Sequence, residues 1–95
     1  MENAFIYIIT NLRNTVLYTG STNSLKKRIN HHKKKLVSGF SKKYNLEKLV
    51  YVEKFNNMDL ARRREAQIKK GSRNRKILLI EKMNPHWTDL YYQLE

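Results

Sequence analysis

No cysteine occurs among the 95 residues, which excludes a disulfide framework and thiolate metal sites. Glycine and proline are scarce, at three and one, and the glycines are scattered, so no Gly-rich phosphate loop and no flexible linker is present. Long hydrophobic runs are also missing. Ala4–Ile9 and Ile77–Ile80 fall far short of the roughly 20 apolar residues that span a bilayer. Ala4–Ile9 follows Glu2 and not a basic region, unlike a secretory signal. These absences point to a cytoplasmic protein with no membrane partner. His31, His32 and His86 are the only histidines, too few without cysteine for a structural zinc site. No Gly-x-Ser-x-Gly elbow marks a serine nucleophile.

Acidic residues are the last shortage. Eight Asp and Glu face 20 Lys and Arg, a formal charge of 20 − 8 = +12. Self-repulsion of that size is relieved by a polyanion, and nucleic acid fits best because phosphate contacts release condensed counterions. The cations are spread over several segments and not gathered on one amphipathic helix, which disfavours a membrane surface. Hydrophobic content of 40% is enough for a small core, and the length suits one domain, residues 1–95.

Phe5–Thr10 is rich in β-branched and aromatic residues and reads as a strand. Asn11–Asn14 reads as a turn, and Thr15–Gly20 as the returning strand. A four-residue turn would set Tyr7 opposite Tyr18, Phe5 opposite Gly20 and Ile9 opposite Val16. Ser21–Ser24 offers helix caps before a helix over 24–36, with Leu25, Ile29 and Leu36 on one stripe and Arg28 and His32 on one side. Gly39–Asn45 reads as a loop, and Leu46–Phe55 contains a third strand. A second helix follows Asn56–Asp59 and runs to Lys70, with Leu60, Ala61 and Ile68 inward and Glu65 at the edge of that face. A third covers Arg73–Met83, with Ile77, Leu78, Ile80 and Met83 inward, and Asn84-Pro85 ends it. The tail, with Trp87, Tyr91 and Tyr92, reads as a short closing helix. The order β-β-α-β-α-α predicts an α+β fold, a largely antiparallel three-stranded sheet flanked by helices.

Taken singly, the polar residues on these elements have ordinary explanations. Tyr7 and Tyr18 suit a cross-strand aromatic pair. Arg28 is one cation in a lysine-rich helix. His32 lies near an apolar stripe, and Glu65 suits an i,i+4 pair with Lys69. Glu47 and Glu53 read as surface carboxylates, and Tyr51, Trp87, Tyr91 and Tyr92 as packing residues. Lys42-Lys43-Tyr44 is a basic and aromatic stretch that suits nucleic acid. The runs Arg62–Arg64 and Arg73–Lys76 suit phosphate.

Their order along the chain adds something. Phe5-Ile6-Tyr7, Tyr18-Thr19-Gly20, Arg28 ten residues later and Glu65 within a helix together resemble the GIY-YIG nuclease family. The stretches Ser21–Arg28, Lys43–Tyr51, Arg64–Lys70 and Asn84–Leu90 resemble its small stand-alone members, so the likeness covers nearly the whole chain. It implies a three-stranded antiparallel sheet flanked by helices and DNA phosphodiester cleavage with one divalent metal ion, Mg²⁺ or Mn²⁺. It places the motif tyrosines at Tyr7 and Tyr18, the catalytic arginine at Arg28, a His or Tyr position at His32 and the metal-binding glutamate at Glu65. Phe5 stands where Gly is usual, Thr19 where an apolar residue is, and Ser21 where some repair and restriction members carry Lys.

The chemistry agrees with that placement. A metal held by Glu65 is a Lewis acid and lowers the pKa of bound water. One protein carboxylate suffices for an ion that keeps its waters. Arg28 grips phosphate oxygens in a fork. The general base is left open between His32, which titrates near neutrality, and a tyrosine shifted down by its surroundings. The function expected is a metal-dependent DNA endonuclease, acting alone or as a homodimer. The alternatives are a non-catalytic DNA- or RNA-binding module, and an interaction protein with an acidic partner.

Overall fold

The computed structural model describes residues 3–37 and 39–94. Three strands, β1 (Ala4–Thr10), β2 (Leu17–Thr22) and β3 (Lys48–Phe55), form one antiparallel sheet in the order β2-β1-β3. The central strand is covered on both faces, which is why it reads as a nearly unbroken apolar run. Ala4, Ile6 and Ile8 join Ala61, Ile68 and Ile80 in a core beneath α3 (Met58–Lys70) and α4 (Arg73–Met83). Tyr7 and Ile9 face the other way, into a core with Leu25 and Ile29 of α1 (Leu25–Lys33) and with Leu46 and Leu49. A bulge in β3 sets Ile8 against Tyr51 but Ile9 against Leu49. Both Val50 and Tyr51 therefore reach the α3–α4 core while Leu49 serves the other.

The hairpin register differs from the four-residue turn expected above. Tyr7 pairs with Gly20, Phe5 with Thr22, and Ile9 with Tyr18. The cause is Asn11, whose side-chain oxygen accepts from the amides of Thr15 (2.8 Å) and Val16 (3.2 Å). These bonds, and the Thr10 hydroxyl donating to the Val16 carbonyl at 2.8 Å, hold residues 11–16 out as a wider loop. The shift is two residues, so each side chain keeps its expected face.

Helix α1 stops at Lys33 and not at Leu36. Lys35 takes a left-handed φ of 57°. Its amide bonds the His32 carbonyl, and the Leu36 amide bonds that of His31 at 2.8 Å, a Schellman closure. Leu36 leaves the stripe and is 67% exposed. The segment read as a loop contains a helical turn, α2 (Phe40–Lys43). It closes the same way, with Asn45 at φ 57° and the Leu46 amide on the Ser41 carbonyl at 2.9 Å. Leu46 is fully buried, so α2 is anchored to the α1-side core at its exit.

Helix α3 begins where Asn57 accepts from the Leu60 amide at 3.0 Å, and α4 where Ser72 accepts from that of Arg75 at 3.2 Å, ordinary N-caps. Ala61, Ile68 and Ile80 are buried as expected, but Leu60, Leu78 and Met83 are exposed. Half-buried Leu79 packs against the core instead. Glu53 is no surface carboxylate: Arg64 grips it through Nε at 3.1 Å and through Nη2 at 3.0 Å, and the Tyr51 hydroxyl donates to it. Arg64 is thereby spent on the fold. Buried Asn84 ties the tail to β3, donating to the carbonyls of Val50 (3.2 Å) and Thr88 (2.8 Å). The tail closes in a 3₁₀ turn, Leu90–Gln93, with Trp87 and Tyr91 packed against the cores and Tyr92 exposed.

Candidate active site

The site forms along strand β2, between α1 and α3. Tyr7 projects from β1 across the neighbouring strand. A Cβ added to Gly20 would lie 2.5 Å from the Tyr7 hydroxyl and 2.6 Å from the ring carbon that bears it. Gly20 is therefore glycine because the phenol occupies the space above it. Crossing there, the Tyr7 hydroxyl reaches Nε2 of His32 at 3.1 Å.

His32 is 3% exposed and arrives on the inner face of α1. Its other ring nitrogen, Nδ1, is 2.7 Å from the hydroxyl of Ser41, also buried, on α2. Both nitrogens are thus engaged, and the ring is held from two sides. Burial, with the charges of Arg28 and His31, lowers the His32 pKa from 6.5 to about 4, so the imidazole is neutral at pH 7. Burial raises the Tyr7 phenol above the ordinary tyrosine value. The Arg28 guanidinium opposes that shift, while Tyr18 and Glu65 add to it. Tyr7 is therefore a phenol and not a phenolate in this state, and Arg28, Tyr18 and Glu65 all lie within its electrostatic reach.

The remaining groups close the cluster. The Tyr18 ring lies 6.1 Å from that of His32. Arg28 sits one turn before His32 on α1 and is exposed. Glu65 comes from α3 with its side chain 19% exposed. The Ser21 hydroxyl of β2 donates to its Oε1, and Lys69 meets its Oε2 at 2.6 Å. Lys69 also lies 5.7 Å from the centre of the Tyr18 ring. A continuous set of contacts thus runs Ser41–His32–Tyr7, then Tyr18, Lys69, Glu65 and Ser21.

The five residues singled out from sequence come together, though Tyr7 and Tyr18 meet through His32 and not as a cross-strand pair. Three residues around them had escaped notice as site members. Ser41 lay in a stretch without periodicity. Ser21 reads in the sequence as one cap candidate among several and as the serine standing where some relatives carry Lys, with no contact to Glu65 implied. Lys69 was visible only as the i,i+4 partner of Glu65, and that pair is present.

Among the described residues, no group of three or more His, Asp or Glu could enclose a metal ion. Glu65 alone offers a hard carboxylate oxygen in the cluster, already facing a cation. That donor set suits a divalent ion that keeps most of its water, such as Mg²⁺ or Mn²⁺, and does not suit zinc.

Residues 3–78 match the GIY-YIG catalytic domain. The chain belongs to the GIY-YIG family. Its relatives include a UPF0213 protein of Clostridium perfringens, 41% identical over 76 residues, covering 80% of this chain and 81% of the relative. A UPF0213 protein of Syntrophus aciditrophicus is 37% identical over 86 residues, covering 90% and 97%. These names carry no activity. The solution NMR structure of the UPF0213 protein of Bacillus halodurans shares the fold, with a TM-score of 0.58, 24% identity and 92% of each chain covered. A GIY-YIG domain places the chain in a nuclease family, whose members act on nucleic acid and generally use a divalent metal. No helix among its described residues is long and apolar enough to cross a membrane.

Proposed function

We propose that this GIY-YIG chain is, as a single functional domain, a metal-dependent endonuclease that hydrolyses DNA phosphodiester bonds with one divalent ion. Tyr7, Tyr18, Arg28, His32 and Glu65 carry the reaction. The observation that supports this most is the buried Tyr7–His32 hydrogen bond, set in the reach of Arg28 and Glu65.

Arg28 is exposed and permanently charged. It binds the scissile phosphate, and its fork fits two phosphoryl oxygens. Its charge gains value as negative charge accumulates in the transition state. The Tyr7 hydroxyl takes the proton of the attacking water while passing its own proton to Nε2 of His32. This relay requires the tautomer in which Nδ1–H donates to Ser41 and Nε2 accepts from Tyr7. Burial disfavours the resulting imidazolium, and the negative charge of the bound phosphate offsets that cost. Tyr18 packs against His32 and keeps its ring in place. Glu65 would hold the divalent ion, which would supply Lewis-acid charge stabilisation at the reacting phosphate.

A non-catalytic nucleic-acid-binding module is the second reading. It is favoured by one feature: both oxygens of Glu65 already have partners in Ser21 and Lys69. A cleavage assay on plasmid, single-stranded and branched DNA, titrated with Mg²⁺ and Mn²⁺, separates the two. Metal-dependent strand breaks support the enzyme. Binding to DNA or RNA without any break under every metal condition supports the module.

A further inference from the structure

Two large aromatic side chains beside the site belong to neither core. Phe40 is 47% exposed and Tyr44 is 39% exposed. The Phe40 ring stacks on that of Tyr18, with centroids 6.2 Å apart and planes 29° apart. Tyr44 meets Phe40 at 4.7 Å. Tyr18, Phe40 and Tyr44 thus form steps from the His32 ring outward to solvent.

Exposed rings of this size cost solvation unless something covers them. Their support is fixed. Helix α2 is anchored by buried Leu46 at its exit and by Ser41 on His32, so the rings are presented by a held element. The surrounding charge is positive. Lys43 lies 5.4 Å from the Tyr44 ring centre and Lys69 lies 5.7 Å from that of Tyr18, while Lys42 is exposed beside them. The acidic residues nearby are already paired, Glu65 with Lys69 at 2.6 Å and Glu47 with Lys35 at 3.8 Å. Flat apolar faces with cations at their rim suit a strand that carries both π-faces and phosphates.

Resting on the endonuclease reading, we infer that Tyr18, Phe40 and Tyr44 form a stacking platform for one or two unpaired nucleobases next to the scissile phosphate. The preferred substrate is single-stranded or locally unpaired nucleic acid. A base inside a duplex has both faces covered by its neighbours and cannot lie on these rings. Stacking accepts every base, so the platform selects strand state and not sequence.

The test uses the full chain with EDTA, so no divalent metal is present, and reads anisotropy of labelled oligonucleotides. Three ligands are compared: a single strand, the same strand with a central abasic tract, and the duplex. The wild-type chain is expected to bind the single strand at least about fivefold more tightly than the abasic strand, the factor that about 1 kcal/mol of base stacking produces, and no less tightly than the duplex despite the duplex's higher charge density. In Phe40→Ala/Tyr44→Ala the gap between the base-bearing and abasic strands should shrink to within about twofold, while Phe40→Tyr and Tyr44→Phe should keep it. If the double variant does not fold, Tyr44→Leu serves instead. Quenching of 2-aminopurine placed in the single strand gives an independent reading on the wild type. Equal wild-type affinity for the base-bearing and abasic strands, a full gap retained without the rings, or no quenching would each overturn the platform. Because metal is absent throughout, failure to cleave DNA sinks the endonuclease reading and leaves these measurements intact.

Discussion

Tyr7 Oη lies 3.1 Å from His32 Nε2, and both side chains are buried. The relation is enforced from both ends. Gly20 leaves room for the phenol, and the Ser41 hydroxyl meets Nδ1 at 2.7 Å. A neutral imidazole carries one ring proton, so its two partners together decide which nitrogen accepts.

Ser41→Ala removes the bond at Nδ1. A buried ring nitrogen then lacks a partner, at a cost of about 1–3 kcal/mol. Thermal melting should show that loss. Two-dimensional ¹⁵N spectra of the wild type should show the Nδ1–H tautomer of His32, and a mixture in Ser41→Ala. Ser41→Thr keeps the hydroxyl and should restore the wild-type spectrum. An unchanged tautomer in Ser41→Ala would remove Ser41 from this role.

Gly20→Ala places a methyl group into the Tyr7 ring. The overpacking should cost about 1–3 kcal/mol in chemical denaturation. In Gly20→Ala/Tyr7→Ala the clash is gone, so the double variant should lose less stability than the two single losses combined. Strict additivity would contradict the contact.

How much of this was legible in the sequence depends on the range of the signal. The β-branched and aromatic run of β1 and the 3.6-residue spacing in α1, α3 and α4 mark the elements, because each signal lies within one segment. The family order of Tyr7, Tyr18, Arg28, His32 and Glu65 singles out the residues that the fold gathers into one cluster. The hairpin register escaped because one side chain, Asn11, reshapes the loop. The end of α1 escaped because a lysine, Lys35, takes a left-handed conformation usually given to glycine. Ser41 meets His32 nine residues away across a chain reversal, and Ser21 meets Glu65 44 residues away, contacts that no periodicity signals.

Stability should depend on pH through His32. Its pKa is about 4 in the folded chain against 6.5 unfolded. The unfolded chain binds the proton more readily, so stability is full above about pH 6.5 and falls as pH drops towards 4. The loss reaches at most about 3 kcal/mol. His32→Gln should flatten that stretch of the stability–pH curve measured by urea denaturation. An equally steep curve in the variant would mean that other groups govern it.

Lys69→Met frees one oxygen of Glu65. Lys69 is half exposed and Glu65 keeps the Ser21 hydroxyl, so losing the i,i+4 pair should cost about 0.2–0.5 kcal/mol in melting. Affinity for Mn²⁺, read by titration calorimetry, should rise about twofold or more because the ion no longer competes with an ammonium group. Weaker binding would show that Lys69 assists the ion.

The most direct measurement compares wild type and Glu65→Ala on the same DNA with Mg²⁺ or Mn²⁺, recording cleavage rate and metal-free binding side by side. Cleavage should fall by at least about 10²-fold, since charge stabilisation by a bound ion amounts to several kcal/mol, while binding is largely retained. Equal cleavage by both proteins would contradict the assignment of Glu65 and the one-metal site built on it.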